Sequence, residues 1–419
     1  MIRLLPLALA SLWNRRLTAG LTVIVVALSV SLLLGVERLR NDARESFAST
    51  VSRTDLIVGA RSGPVQLLLY SVFHIGDATN EVSWPAVQRI AARQEVAWVV
   101  PLSLGDSHRG FRVVGTTPDF FRHYRYGDGR RIGFAAGRPF ADVFEAVVGA
   151  EVAARLGYRD GVRITLSHGS GAHLADHGDK PFTVVGVLSP TGTPVDRSVL
   201  VGLDGIEAIH LNWQGGAPIS GLHIAPEQVK KFDLSPKRVT AALVGLKNRA
   251  MVFRLQRAIN EDAAEPLLAI LPGVALDQLW DVVGIGARVL MAVSGLVVTV
   301  GLAGLVAVVV ASLGERRREL AILRALGAGP RDVFFLVGTE SLLLTVAGCV
   351  LGVAVVQGLA AAMAGWLQAS HGLVVAPGWP TGREWMLLGA VLLAGLVAST
   401  VPAARAYRQS LADGMTVKI

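Results

Sequence analysis

Cysteine is nearly absent from this 419-residue chain, in which Cys349 is the only one. An intrachain disulfide and a metal site built from several thiolates are therefore excluded. Charged side chains are also scarce, at 17% of the residues against 52% that are hydrophobic, and the mean hydropathy is +0.50. So low a charge content is atypical of a soluble domain of this length, and the composition predicts a membrane protein.

The sequence also lacks the motifs of several enzyme classes. It contains no G-x-x-x-x-G-K-[ST] run, so the chain has no P-loop to hold the phosphates of ATP. No spacing of serine, cysteine, histidine or paired carboxylates indicates a nucleophilic or acid–base centre. We therefore expect no catalytic residues and no enzymatic activity in this chain.

Four apolar runs are long enough to cross a bilayer, which takes roughly 20 helical residues. They predict transmembrane helices at 17–36, 283–313, 333–367 and 385–402. The first run follows a basic segment but precedes no small-residue cleavage site, which favours an uncleaved helix over a signal peptide. Residues 1–16 are expected to form a short cytoplasmic or interfacial helix.

Lysine and arginine residues concentrate on one side of these spans, and basic flanks resist translocation. Both termini, the tail at 403–419 and the loop at 314–332 are therefore expected in the cytoplasm, whereas 368–384 is a short periplasmic loop. The prediction uses Arg3, Arg15, Arg16, Arg316, Arg317, Arg318, Arg324, Arg331, Arg405, Arg408 and Lys418. Because these flanks hold much of the excess behind the net charge of +8, we expect no nucleic-acid partner.

Residues 37–282, between the first two spans, have the mixed composition of a water-exposed domain. Strands are predicted at 55–59, 96–100, 111–115, 162–166 and 182–188, and helices at 84–93, 145–157 and 247–260. The helical composition of 37–53 and 274–290 extends the flanking spans as a stalk. The predicted fold class is thus a four-helix membrane protein with a large inserted α+β domain on helical stalks, and a second lobe at about 115–210.

The segment from Gly314 to Leu344 resembles a known protein family. This run, GERRRELAILRALGAGPRDVFFLVGTESLLL, resembles the segment joining the second and third spans in the MacB/FtsX-like ABC permease family, which includes lipoprotein-releasing permeases. The final VPAARAYRQSLADGMTV, the one-plus-three spacing of the spans, and FRVVGTTPDFF, GRPF, AVVGAEVAARLG and FTVVGVL in the domain agree with it. MacB carries its own nucleotide-binding domain, so this chain resembles the split members of the family.

The resemblance implies several partners. Two copies of a separate ATP-binding subunit would carry ATP and Mg²⁺, and a second copy of this chain or a homologous permease would complete the transporter. A periplasmic adaptor or a lipoprotein is a further expected partner, and membrane lipid surrounds the spans. The chain itself is expected to hold no cofactor, apart from the zinc considered below.

The segment from Glu319 to Leu326 has the composition of a short amphipathic helix, and Gly327 is typical of a helix end. A basic membrane flank without a partner is the alternative reading of the residues alone. The resemblance implies an ATPase-coupling helix that the 402–405 segment supports. The ATPase-facing positions are Glu319, Leu320, Leu323, Arg324, Ala325, Leu326 and Gly327.

Two features of the third span favour a structural role. Glu340 is an ionisable residue in an apolar run, which is costly unless the carboxylate reaches interfacial water or a neighbouring arginine. We expect it to have a structural or coupling role. Gly348 and Gly352 form a GxxxG pair, a spacing that permits close approach of another helix.

The most unusual local composition is SHGSGAHLADHGDK at 167–180. Imidazole and carboxylate side chains suit zinc or a similar transition metal, and a flexible loop can close around one ion. A solvated polar loop is the alternative. The candidate ligands are His168, His173, His177 and Asp176.

The resemblance implies an inner-membrane permease subunit that transmits ATP-driven movement to its periplasmic domain. Export or extraction of a lipoprotein, peptide, small molecule or metal-related cargo is expected by family analogy. The alternative is a transmembrane signalling subunit that activates a periplasmic partner such as a cell-wall hydrolase. A third possibility is an assembly factor that works without any ATPase.

Overall fold

The computed structural model describes residues 4–50, 53–169, 177–214, 217–219, 224–371 and 378–408. These residues form two compact units. The helical unit comprises residues 4–42, 283–366 and 378–408, and the sheet unit comprises the described residues of 43–282 together with 367–371.

The α-helices of the described residues are unequal in length, four of them being much longer than the rest. They are α1 (Leu4–Asn14), α2 (Arg16–Thr50), α3 (Pro64–Val72), α4 (Trp84–Ala91), α5 (Asp119–His123), α6 (Ala150–Leu156), α7 (Leu203–His210), α8 (Pro226–Val229), α9 (Val252–Asn260), α10 (Pro272–Glu315), α11 (Arg317–Ala325), α12 (Pro330–His371) and α13 (Gly382–Arg408). Two 3-10 turns occur at Pro194–Arg197 and Arg249–Met251.

All the strands of the described residues lie in the sheet unit. They are β1 (Leu56–Ala60), β2 (Val82–Ser83), β3 (Val96–His108), β4 (Phe111–Thr116), β5 (Arg125–Tyr126), β6 (Arg130–Arg131), β7 (Phe134–Gly137), β8 (Glu145–Val148), β9 (Arg163–Ile164), β10 (Ser167–His168), β11 (Phe182–Leu188), β12 (Ser198–Gly202), β13 (Trp213–Gln214), β14 (Ala217–Pro218), β15 (Arg238–Val239), β16 (Ala241–Leu246) and β17 (Leu267–Ile270).

Within the described part of the chain, four helices are long and apolar enough to cross a membrane, namely α2, α10, α12 and α13. A helix is the form in which an apolar segment satisfies all its backbone polar groups inside a bilayer. The predicted fold class, four transmembrane helices with a mixed α/β domain between the first and the second, is confirmed. The segments predicted to extend the first two spans, 37–53 and 274–290, are also helical. Helix α2 continues to Thr50, and α10 begins at Pro272.

Two glycines of α12 bring this helix close to α2. A Cβ atom added at Gly348 would lie 2.5 Å from Cγ1 of Val26, and one at Gly352 would lie 2.9 Å from Cβ of Val30 and 3.0 Å from the carbonyl oxygen of Ala27. Glycine is therefore required at both positions for this separation. The predicted close approach at the GxxxG pair is present in the helical unit.

The sheet unit is built on one sheet of eleven strands in the order β17-β1-β16-β3-β4-β12-β8-β11-β7, with β10 paired to β3 and β9 to β11. All pairings are antiparallel except β4 with β12 and β8 with β11. The half from β4 to β7 comes from residues 111–202, close to the predicted second lobe, whereas β1, β3, β16 and β17 form the other half. The two predicted lobes are thus halves of a single sheet.

The prediction of one helix at 145–157 is wrong in its first part. Glu145–Val148 is strand β8, and α6 begins only at Ala150. The residues Ala146, Val147 and Val148 are fully buried, because β8 lies between β11 and β12. Backbone pairing on both sides and burial of the two valines outweigh the helical pattern that the following residues suggest. The predicted strand at 162–166 is likewise shorter, since β9 covers Arg163–Ile164 alone.

Alanine at Gly348 or Gly352 should destabilise the protein, although alanine normally stabilises a helix interior by about 0.5–1 kcal/mol relative to glycine. We expect the thermal midpoint of the detergent-solubilised protein to fall, because the added methyl groups collide with α2. Gly358→Ala is the matched control, since a Cβ atom there meets nothing within 4 Å. Equal midpoints for all three variants would contradict the packing argument.

Candidate functional site

A buried ion pair joins α12 to the residue that precedes α11. The guanidinium of Arg316 donates to both carboxylate oxygens of Glu340, at 2.5 and 2.8 Å, and to the hydroxyl oxygen of Ser11 at 2.6 Å. Arg316 is 3% exposed and Glu340 4%. A bidentate pair is the geometry in which two charges can share a poorly hydrated site. Glu340 therefore meets the neighbouring arginine that the sequence analysis anticipated.

The short helix α11 has a buried face and an exposed face. Leu320 and Ala321 are buried, and Leu323 packs partly against the core of the helical unit. On the opposite face, Ile322 is 60% exposed and Leu326 is 80% exposed. Exposed apolar side chains at i and i+4 form one continuous patch on a helix.

The end of α11 is fixed by a glycine turn. Gly327 has a φ of +100°, its amide donates to the carbonyl of Arg324 at 3.0 Å, and the amide of Ala328 donates to the carbonyl of Leu323 at 3.0 Å. This pair of bonds is a Schellman motif, which needs a left-handed residue just past the helix. The amide of Gly329 then donates to the Asp332 carboxylate at 2.8 Å, at the start of α12.

The last turn of α13 also contacts α11. Nη2 of Arg324 donates to the carbonyl oxygens of Ala406 at 3.4 Å and Tyr407 at 3.2 Å. A cation suits a helix C-terminus because the final carbonyls have no partner within the helix. Arg15, at the other end of α11, lies 3.9 Å from the exposed carboxylate of Glu319. The short helix is thus held at both ends by arginine contacts inside the helical unit.

The seven positions predicted to face an ATPase do not share one environment. Glu319, Ala325, Leu326 and Gly327 are exposed, Leu323 and Arg324 are half-buried, and Leu320 is buried. Ile322, which the sequence analysis left out, is exposed beside Leu326. Helical periodicity is the signal that could have found it, since Ile322 precedes Leu326 by four residues.

A second group of candidate functional side chains lies in the sheet unit. His168 and His177, two of the four predicted metal ligands, lie close together, whereas His173 and Asp176 fall outside the described residues. The structure adds Asp106 from β3 and His210 from the end of α7. One ligand atom from each of Asp106, His168, His177 and His210 lies within 4.8 Å of the others. We call these four residues the histidine cluster.

The surroundings of the histidine cluster shift the pKa values of two of its rings. Burial, and after it the neighbouring His210, lowers the pKa of His177 to about 4. The hydrogen bond that the His168 ring donates to the Asp106 carboxylate raises the pKa of His168 above its ordinary value. His177 is therefore a neutral imidazole near pH 7.

Four helices of the described residues that are long and apolar enough to cross a membrane, with an α/β unit inserted between the first and second, fit a membrane protein with a large extramembrane domain. Residues 291–411 match the family model described as FtsX-like permease C-terminal, and residues 19–259 match the one described as MacB-like periplasmic core domain. The chain therefore belongs to the MacB/FtsX-like ABC permease family.

Several solved structures resemble part of the chain, among them the following two. One is the periplasmic region of MacB from Actinobacillus actinomycetemcomitans, at 10% identity and a TM-score of 0.33. The aligned region covers 55% of this chain and 94% of the MacB structure. The other is the extracellular domain of the ABC-type transporter YknZ from Gram-positive bacteria, at 11% identity and a TM-score of 0.29, which covers 52% and 98% respectively. No curated relative matches the sequence. Membership of the family rests on the two family models.

Replacing one partner of the Arg316–Glu340 pair should destabilise the helical unit strongly. Arg316→Met or Glu340→Leu leaves an uncompensated buried charge, which costs about 3–5 kcal/mol, whereas the double variant removes both charges and should recover much of that loss. Thermal midpoints in detergent for the two single variants and the double variant give the coupling between the sites. Arg318→Ala, at an exposed position on α11, is the control and should leave the midpoint unchanged. The pair would have no such role if the single variants matched this control.

Proposed function

We propose that this chain is the permease subunit of an ABC transporter that takes its energy from a separate ATP-binding subunit docked on α11. Family membership supports the permease assignment. The observation that carries the docking proposal is the exposed apolar patch of Ile322 and Leu326 on a short helix between two membrane spans. An amphipathic helix seated in a groove is a common mode of protein recognition, with anchors at i and i+4.

The exposed face of α11 combines this patch with charge. Glu319 and Arg318 are exposed at its beginning, and Ala325 and Gly327 are exposed near its end. Such a face, with an apolar patch next to exposed charged residues, has the composition of a protein interface. Leu320 supports the helix from inside and is not a proposed contact, whereas Ile322 joins the contact set.

Force on α11 needs a path into the spans, and the buried contacts of the helical unit offer one. The Arg316–Glu340 pair links the start of α11 to α12, and the Arg324 bonds link its end to α13. In this proposal the closing of two ATP-binding subunits moves α11. The helices that flank it in the chain, α10 and α12, and the helix that it contacts, α13, move with it. Helix α10, 44 residues long, contributes to both units and would carry the movement to the sheet unit.

The proposed setting is the bacterial inner membrane, with both termini and α11 in the cytoplasm and the sheet unit in the periplasm. The arginine-rich flanks support this orientation. A second copy of this chain or a homologous permease would pair with it, because four spans are few for an independent transport path. The proposed work is export or extraction of a lipoprotein, peptide, small molecule or metal-related cargo, by mechanotransmission to the periplasmic domain.

Charge on the exposed patch of α11 should break ATPase docking. We expect Ile322→Asp and Leu326→Asp each to reduce the ATP-binding subunit that co-purifies from native membranes by roughly tenfold or more, the loss typical of a truncated interface anchor. Mass spectrometry with crosslinking before solubilisation measures the ratio of the two chains.

The matched control for this experiment is Phe253→Asp. Phe253 is 68% exposed and lies on α9 in the sheet unit, so the same chemical change there should leave the ratio unaltered. Recovery of no ATP-binding subunit with the wild-type chain would refute the docking proposal, and equal recovery with both α11 variants would show that α11 is not the docking site.

The proposed orientation can be tested because Cys349 is the only cysteine. In a Cys349→Ala background, Glu81→Cys adds an exposed thiol to the sheet unit and Arg318→Cys adds one to α11. A membrane-impermeant maleimide should label the first in intact spheroplasts and the second only after permeabilisation. The opposite pattern would reverse the topology.

A further inference from the structure

We infer that the histidine cluster of the sheet unit is a binding site for one divalent transition-metal ion, with Zn²⁺ as the best-suited ion. Asp106, His168, His177 and His210 would supply one ligand atom each. The inference is independent of the proposed ATPase coupling, since every residue that it uses lies in the sheet unit.

The cluster joins three distant parts of the chain. His168 pairs directly with Asp106 across β10 and β3, and the amide of His177 donates to the carbonyl oxygen of Leu166 at 2.9 Å, which holds it beside β10. His210 is the last residue of α7. The pairing of β10 with β3, the backbone bond of His177 and the position of α7 therefore hold the backbones of the four ligand residues in place without an ion.

The distances among the ligand atoms suit a tetrahedral ion. Zinc bonds of about 2.0–2.2 Å to nitrogen and oxygen place neighbouring ligands about 3.3–3.6 Å apart. Nδ1 of His168 lies 3.1 Å from the Asp106 carboxylate and 3.2 Å from Nε2 of His210, and Nε2 of His210 lies 3.7 Å from the same carboxylate. These three separations fall on both sides of the tetrahedral value, so small side-chain rotations would admit the ion.

The ring orientation of His210 is that of a metal ligand. Its Nδ1 lies 2.8 Å from the carbonyl oxygen of Ile206, which can only accept, so Nδ1 carries the proton. In the neutral ring the lone pair is then on Nε2, the nitrogen that faces Asp106 and His168. Zinc-binding histidines typically donate their other ring N–H to a backbone carbonyl in this manner.

His177 gives an independent indication that a ligand is expected. It is 1% exposed, and neither of its ring nitrogens has a hydrogen-bond partner among the described residues. Buried polar atoms are rarely left unpaired in folded proteins. The Trp213 ring lies 4.3 Å from the His177 ring between centroids and helps to exclude water. A metal ion would supply the missing partner for one of these nitrogens.

The site is held together independently of the metal. The buried ammonium group of Lys180 donates to the side-chain oxygen of Asn212 at 2.5 Å. This bond ties the segment after His177 to the segment after His210. Three imidazoles and one carboxylate favour a borderline ion such as Zn²⁺ over Mg²⁺ or Ca²⁺, which prefer oxygen ligands. Binding requires the Nδ1 proton of His168, shared with Asp106, to leave for Nε2 or for solvent.

The test uses the full-length untagged protein in detergent, stripped with a chelator and titrated with Zn²⁺ alone. We expect one Zn²⁺ per chain by elemental mass spectrometry after desalting, and at least a tenfold loss of affinity in His177→Ala and in His210→Ala. His123→Ala, a histidine of the sheet unit outside the cluster, should bind like wild type. Less than about 0.1 Zn²⁺ per wild-type chain, or equal binding by all three variants, would overturn the proposal.

Titration of the wild-type protein with Co²⁺ keeps the test decisive if the variants fail to fold. A tetrahedral site with nitrogen and oxygen ligands should give intense visible d–d absorption that Zn²⁺ abolishes and Mg²⁺ leaves unchanged. The weak spectrum of octahedral Co²⁺ would overturn the assignment.

Discussion

The pair formed by Arg316 and Glu340 is the interaction on which the arrangement of the helical unit depends. A carboxylate buried in a membrane span is tolerated because the guanidinium meets both of its oxygens and donates to Ser11 as well. Arg316 immediately precedes α11, so the same pair links the start of that helix to α12. The position of the exposed patch at Ile322 and Leu326 is therefore tied to the interior of the helical unit.

The sheet unit concentrates its chemistry where strand, loop and helix meet. Strand β3 passes through the centre of the eleven-stranded sheet and carries Asp106 near its end, beside β10 and His168. The end of α7 brings His210 to the same place. The sheet thus serves as a rigid support on which side chains from distant segments converge, as sites on regular elements are held more precisely than sites on loops.

The sequence predicted four membrane spans, in agreement with the four candidate helices, because length and apolarity define such spans. Strand β11 was predicted at its observed bounds, 182–188, since a short β-branched run between turn residues has few alternatives. The segment 145–148 was predicted as helix, but it forms strand β8. Its conformation depends on pairing with β11 and β12, which no local sequence pattern indicates. The burial of Leu320 and the exposure of Ile322 also depend on which side of α11 meets the core.

What the sequence determined by itself is the class of protein, namely four spans and an inserted α/β domain, which rest on composition and periodicity. Its local motifs also carried the resemblance to the permease family that the two family models bear out. The tertiary structure decided the partners of each functional side chain. Arg316 and Glu340 are 24 residues apart, and Asp106 and His168 are 62 residues apart. Only chain folding brings such residues into contact, because local sequence records the preference of a segment but not its neighbours in space.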